Sequence, residues 1–522
     1  MNRGRRTRFG VQLGSCLAAL LLASPAAAQP AGAQPGMQTG ADAGEAARAA
    51  LESFDMPRLV RDRAYAEAIL RHLDTLDADE AELPSRAMDR LGMRLLALAA
   101  LGRRDEAQAG IDRLVRAGPS SVQPNVDAWW SALILEDTAR AVDVLEGASR
   151  HVRGVGWAEL RRQLGADAPR AMFGRLGGDA FRPLRVRLAA ALLRIGWPGD
   201  SDRVAGDDLR MMLLDDRLDQ GDVGGAAAMV GLLRTPSAVL PLILLRRYDA
   251  VIGADRDRLA MLREALAEED RVTADAVAVR APSVDHLLAR ARYLRAVGRN
   301  AEAWTLVEPM TRDVAATVSA GTNGIWLIDQ AVGILHALRR KDEALALDRR
   351  LVAVPLTVNG ELIGVYINHI AFLSESGLDA EALDYARQIE RDHANRANAY
   401  GKMWISSGIV CALAGLDRAA EAAPVLARMR AAGEDNPAAL GRAHLCLGDS
   451  AAAEALLIRR LEDPNGTMLA LEFQEFALDR DPPEPGSRAA RMRALRERPA
   501  VRAALDRVAR RLQLPLAEFT WY

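Results

Sequence analysis

Gly377-Leu378-Asp379-Ala380-Glu381-Ala382 decides the reading of this 522-residue chain. A glycine, three residues, then a small or acidic residue followed by alanine recurs along the sequence. The other instances are Gly102 with Glu106-Ala107, Gly221 with Gly225-Ala226, Gly298 with Glu302-Ala303, Gly415 with Ala419-Ala420, and Gly448 with Ala452-Ala453. Arg339 stands in the glycine's place before Glu343-Ala344. From 298 to 448 the steps are 41, 38, 38 and 33 residues. Glycine at such a point permits the left-handed backbone that ends a helix. The alanine lets a second helix pack closely against the first. A single helix pair cannot bury its own apolar face, so pairs of this kind must stack.

The sequence on either side is helical in period. Ala382, Tyr385, Ala386 and Ile389 fall on one face, and Leu287, Ala291 and Leu294 repeat that spacing. Leu351 to Ile363 is the one strand-like stretch, with Asn359-Gly360 as a hairpin signal. It falls where one repeat hands over to the next and reads as a loop. Residues 120–280 lack the clear repeat, but Trp129-Trp130, Pro183 to Leu193 and Leu209 to Leu218 carry helical apolar patterns, broken at Trp197-Pro198-Gly199. An aromatic share of 4% against 50% hydrophobic residues means a core of Ala, Leu and Val. The expected class is all-α.

The repeat resembles the tetratricopeptide repeat family. That pattern has an aromatic early in the first helix, a small residue four further on, glycine at the turn, and Glu-Ala opening the second helix. Trp404, Gly408, Gly415 and Ala420 match it best. Gly441, Gly448 and Ala453 match in the following unit, and Tyr366, Gly377 and Ala382 in the one before. The resemblance covers 283–461 well and 86–119 moderately. It implies a right-handed α-solenoid of TPR-like helix-turn-helix repeats. The expected organisation is a signal peptide over 1–28, a linker over 29–44, N-terminal helical repeats over 45–119, a degenerate helical region over 120–280, a TPR-like array over 281–480, and a linker with capping helices over 481–522.

In that family the second, fifth, ninth and twelfth positions of each first helix line a concave groove. Carried onto this chain, they are Asp285, Leu288, Arg292 and Arg295; Trp326, Asp329, Gly333 and His336; Gly364, Ile367, Ala371 and Ser374; and Lys402, Ile405, Ile409 and Ala412. The resemblance thus implies that Asp285, Arg292, Arg295, Trp326, Asp329, His336, Ile367 and Lys402 face a protein or peptide partner. A mixture of charges, small apolar residues and one Trp suits an extended segment anchored at Trp326. The family's paired Lys/Asn clamp for a terminal carboxylate is not matched.

The N-terminus predicts export. Arg3, Arg5, Arg6 and Arg8 precede a mainly apolar run from Val11 to Leu22, and Ser24-Pro25-Ala26-Ala27-Ala28 supplies small residues for cleavage after Ala28. Arg5-Arg6 suggests a twin-arginine signal, although Arg8 stands where an apolar residue is wanted. Leu13-Gly14-Ser15-Cys16 looks like a lipoprotein box, but the apolar stretch continues past Cys16. The mature chain is therefore expected to be periplasmic or secreted, with no integral membrane segment. With a formal net charge of −2, removal of four arginines leaves −2 − 4 = −6. That balance argues against binding to nucleic acid. Cys411 and Cys446 remain after cleavage. Both sit in apolar helical patterns and are expected as two buried thiols rather than a bridge.

No catalytic or metal-binding motif emerges, and no cofactor is expected. Asp215, Asp216, Asp219 and Asp222 lack the register of a calcium loop and read as a solvated helix end. Glu375-Ser376 invites comparison with soluble lytic transglycosylases, exported α-superhelices with a catalytic Glu-Ser pair. Here the pair lies at a repeat turn with no second polar partner for acid chemistry. The leading expectation is an exported interaction scaffold rather than an enzyme. The rivals are a cell-wall glycan hydrolase with convergent carboxylates in 120–280, and a polymer-binding protein using Arg292, Arg295 and Trp326. Arg488 to Arg511 holds nine Arg against two acids and reads as a capping helix, with weak contact to an anionic surface as the alternative.

Overall fold

The computed structural model describes residues 55–76, 84–165, 167–198, 203–253, 256–393, 395–463, 467–478 and 488–518. The signal peptide, the linker over 29–44, the Pro/Gly-rich break from Asp481 to Ser487 and the final Phe519 to Tyr522 lie outside these residues. Among the described residues the structure is helical, apart from two-residue strands Glu475–Phe476 and Gln513–Leu514 that pair in parallel. No helix among them is long and apolar enough to cross a membrane.

The chain divides into two compact units at Leu233 and Arg234. In the first, helix Pro84–Ala100 packs on Arg104–Ala117 and Val122–Ile134, which in turn packs on Thr138–His151. Trp129 and Trp130 are both buried at its centre, edge to face with centroids 4.8 Å apart. The stretch without a clear repeat is thus helical. In the second unit the first helices of successive pairs are Val284–Ala296, Thr322–Ala337, Leu362–Glu375, Ala399–Gly415 and Pro437–Cys446. Each packs on the second helix of its own pair and on the first helix of the next. The core is continuous from Val239 to Leu440 and is made of Leu, Ile, Val and Ala. Leu351 to Ile363 forms the handover between pairs: helix Lys341–Val352 ends, and Asn359 Oδ1 accepts from Glu361 N at 3.0 Å just before helix Leu362–Glu375.

The repeated turn has a single construction. Gly102, Gly221, Gly298, Gly377 and Gly448 all have φ between 70° and 78°, and Arg339 adopts φ 65° in the same role. The amide after each donates to the carbonyl five residues back, as in Arg299 N to Leu294 O at 2.7 Å and Leu378 N to Leu373 O at 3.0 Å. These bonds satisfy carbonyls that a helix end leaves open. Five residues beyond the left-handed residue stands a buried alanine: Ala107, Ala226, Ala303, Ala344 and Ala382 are each 0% exposed. At most of these turns the next residue starts the second helix in one of two ways; Leu378, after Gly377, does neither. Asp222 and Asp449 cap it by accepting from Gly225 N and Ala452 N. Arg103, Arg299 and Arg340 instead grip Glu106, Glu302 and Glu343 with two hydrogen bonds each. The recurrent glutamate therefore serves an exposed ion pair beside the packed alanine.

Two expectations are corrected. Gly415 does not make its turn. Helix Ala399–Gly415 runs through it, and the left-handed residue is Asp417, with φ 56°. The buried alanine is accordingly Ala422, while Ala420 is exposed. Gly415 is glycine for another reason: a Cβ there would lie 2.2 Å from the Asp379 carboxylate of the preceding pair. The cysteines are also not free thiols. Cys411 and Cys446 lie on adjacent first helices whose close packing brings their Cα atoms to 5.0 Å, and they form a disulfide. The short side chains between those helices allow an approach that apolar patterning alone did not reveal.

Candidate functional site

The residues placed on the groove by the repeat register lie on successive first helices of the second unit, and several touch their counterparts one helix on. Asn323 Nδ2 donates to Asp285 Oδ1 at 2.7 Å. Arg295 Nη1 donates to Gln330 Oε1 at 3.1 Å, and its guanidinium occupies the space beside Gly333, 2.1 Å from where a Cβ would stand. The Trp326 ring lies 3.7 Å from the corresponding point at Gly364, and Ile367 Cδ1 lies 3.2 Å from that at Gly401. At Gly333, and less sharply at Gly401, glycine makes room for the larger side chain of the helix before it, while Trp326 lies in ordinary contact range of Gly364.

Four of the expected residues form one charged cluster. Burial pushes the Asp329 carboxyl up to about 6, against the pull of Arg295 and Arg292. Burial draws the Arg292 guanidinium down, with Asp329 opposing. His336 is also drawn down, first by burial and then by Lys341 and Arg339. Its ring meets Phe372 edge to face at 6.1 Å. Lys402 stands apart, exposed, and forms no ion pair among the described residues. Asp285 is likewise exposed, at the opposite end of its helix from Arg295.

The register missed what covers Arg295. Residues 509–518 cross back over the first helix pairs of this unit. Arg510 N donates to Leu244 O at 2.8 Å, and Ala517 N donates to Ala296 O at 2.7 Å. Both acceptors belong to carbonyls at helix ends, which need a donor. The Arg510 guanidinium grips both carboxylate oxygens of Asp249, and Arg295 Nη2 donates to Glu518 Oε2 at 3.0 Å. Leu514 and Leu516 are fully buried against the same core. The alternating Leu512-Gln513-Leu514-Pro515-Leu516 was the available signal for this extended strap. The arginines before it are also engaged internally. Arg491 donates to Leu445 O and Cys446 O at 2.9 and 3.1 Å, Arg498 pairs with Glu454, and Arg507 pairs with Glu462. These contacts favour the capping reading of that segment.

Two polar groups resemble catalytic machinery but are placed as packing joints. Asp348, on the second helix of one pair, bonds His369 Nδ1 on the first helix of the next, and Tyr385 meets the imidazole edge to face at 4.7 Å. Asp348 and His369 are 5% and 3% exposed, so the pair is enclosed between the two helices. In the first unit, burial pushes the Asp127 carboxyl up to about 7, with the Asp89 charge adding to the shift. Gln123 Nε2 donates to it at 2.8 Å, and its other oxygen fills the space left by Gly92, 2.1 Å from a Cβ position there. It is wedged between two helices. Of the aspartates in 215–222, Asp219 pairs with Arg182 and Asp222 caps the next helix.

Neither the protein-family models nor the curated proteins give a significant match to this chain.

Proposed function

We propose that this chain is an exported interaction scaffold: a right-handed, TPR-like solenoid that holds an extended peptide or protein segment along the first helices of residues 281–480. The observation that carries the reading is the ladder of contacts from Arg295, Trp326 and Ile367 to Gly333, Gly364 and Gly401. It keeps one face of the first helices in a common register, with the exposed Asp285, His336 and Lys402 along it and Asp329 largely buried among them. The Cys411–Cys446 bridge supports a mature chain that works in an oxidising compartment such as the periplasm, since cytosolic thiols stay reduced. The engagement of Arg292 and Arg295 with Asp329 and Glu518 favours a peptide over an anionic polymer, because little unbalanced positive charge is left there. No catalytic role is assigned.

Affinity capture tests this reading. The mature chain from Gln29 is used to retain partners from envelope extract, beside a Trp326→Ala/Arg292→Ala variant with the same cooperative melting. The expected result is a specific partner retained by the parent and lost by the variant. An identical set retained by both places the binding surface elsewhere and overturns the assignment of this face.

A further inference from the structure

Arg442 lies one unit beyond the expected groove residues, on helix Pro437–Cys446. It holds the ninth position of that helix when the register of the Gly441 unit is followed, the same position as Arg292. Its side chain is only 15% exposed. Yet among the described residues nothing accepts a hydrogen bond from it, and Nε is buried with no acceptor at all. Its one ion pair is long: Nη2 stands 3.7 Å from Glu375 Oε1, two first helices back. Its Cζ lies 5.9 Å from the centroid of Trp404 on the helix between. Among the described residues, Arg292, Arg295 and Arg491 also bury an Nε without an acceptor, but Arg295 and Arg491 donate through their terminal nitrogens. Arg290 donates to Asp270 O, Asp270 Oδ1 and Thr273 Oγ1. Burial of Arg442 without such acceptors draws its pKa down to about 10. A desolvated guanidinium is costly unless hydrogen-bonded to an anion. At the preceding residue, Gly441, a Cβ would meet no atom within 4 Å, so the helix is uncovered at that point.

We propose that Arg442, with Trp404 at its side, is an anion-recognition subsite that takes one carboxylate of an extended peptide lying across the first helices. The proposal rests on the peptide-binding reading above and deepens it by naming the chemistry of one contact. Glu375 already brings a negative charge to within 3.7 Å, so a singly charged anion is favoured over a doubly charged one. A phosphate dianion would meet about twice the repulsion from that carboxylate that a peptide carboxylate meets. The planar fork of a guanidinium matches a carboxylate with two parallel hydrogen bonds. The Trp404 ring, half-buried, supplies apolar surface for the neighbouring residue of the peptide.

An array of immobilised decapeptides of Leu and Ala tests it. The central residue is Glu, Gln or phosphoserine, and the C-terminus is either amidated or free. The intact mature chain is applied beside Arg442→Gln and Arg442→Lys variants that melt with the parent's cooperativity. For the parent, a Glu peptide should bind about tenfold better than its Gln counterpart, the scale of one charge-assisted contact. Arg442→Gln should abolish that preference, and Arg442→Lys should retain part of it. A preference carried by the free terminus with central Gln assigns the recognised group to the peptide end; one carried by amidated Glu peptides assigns it to a side chain. Equal binding of Glu and Gln peptides, a preference for phosphoserine, or a preference that survives Arg442→Gln overturns the subsite while leaving peptide binding intact. Retention of no decapeptide overturns both.

Discussion

A carboxyl group held at about 7 between two helices makes folding depend on proton uptake. Asp127 binds its proton far more tightly in the folded chain than in the unfolded one, where the ordinary value is 3.8. Between those values the folded state holds more protons, so stability falls as pH rises from about 4 to about 7 and levels off above. The linkage ceiling is on the order of 4 kcal/mol. Asp127→Asn keeps the shape without the ionisation. It should flatten this dependence and raise stability at pH 7 by about 1–3 kcal/mol, read by denaturant unfolding at a series of pH values. A variant whose pH profile parallels the parent's would show that Asp127 titrates normally. The burial of this side chain was not legible beforehand. Asp127 sits in the stretch with the weakest repeat, and its neighbour Gly92 is revealed as a wedge partner only by helix contact. Arg442 was within reach: it occupies the ninth position of the unit containing Gly441 and Gly448, one step beyond the last set carried over from the repeat.

At the scale of the element, the turn and its alanine carry the architecture. The pattern Gly102, Gly298, Gly377 and Gly448 was readable because glycine takes the left-handed backbone without penalty. It misled at Gly415, where glycine answers to close packing against Asp379 and the turn falls to Asp417. The same signal was silent at Glu136, which has φ 58° and is followed five residues later by the fully buried Ala141. A turn without glycine leaves no mark in composition. The corrected register makes a paired prediction. Ala422→Leu should overpack the helix junction and cost about 1–3 kcal/mol. Ala420→Leu, on the exposed side, should stay within about 0.5 kcal/mol of the parent. Denaturant midpoints with unchanged slope would read both. Equal costs, or the larger cost at Ala420, would restore the uncorrected register.

Across the second unit, sequence reading reached the class and the order of elements, because short-range periodicity determines both. It did not reach contacts made between distant parts of the chain. The strap over 509–518 bonds Leu244 and Ala296, more than two hundred residues earlier, and Leu514 and Leu516 complete the core there. The disulfide belongs to the same class of feature: its 35-residue separation spans one repeat, but bridging depends on how closely two first helices pack. The strap also bears on the proposed binding face, since Glu518 occupies Arg295, whereas Lys402 is exposed and unpaired among the described residues. Site-specific photo-crosslinking tests the central claim most directly. A benzophenone side chain replaces Lys402, exposed on a first helix, or Thr305, exposed on a second helix, in the otherwise intact chain. The account predicts a discrete partner crosslinked from position 402 and absent from position 305. Crosslinking from 305 alone, or to the same partner equally from both, would contradict the assignment of the first-helix face as the binding surface.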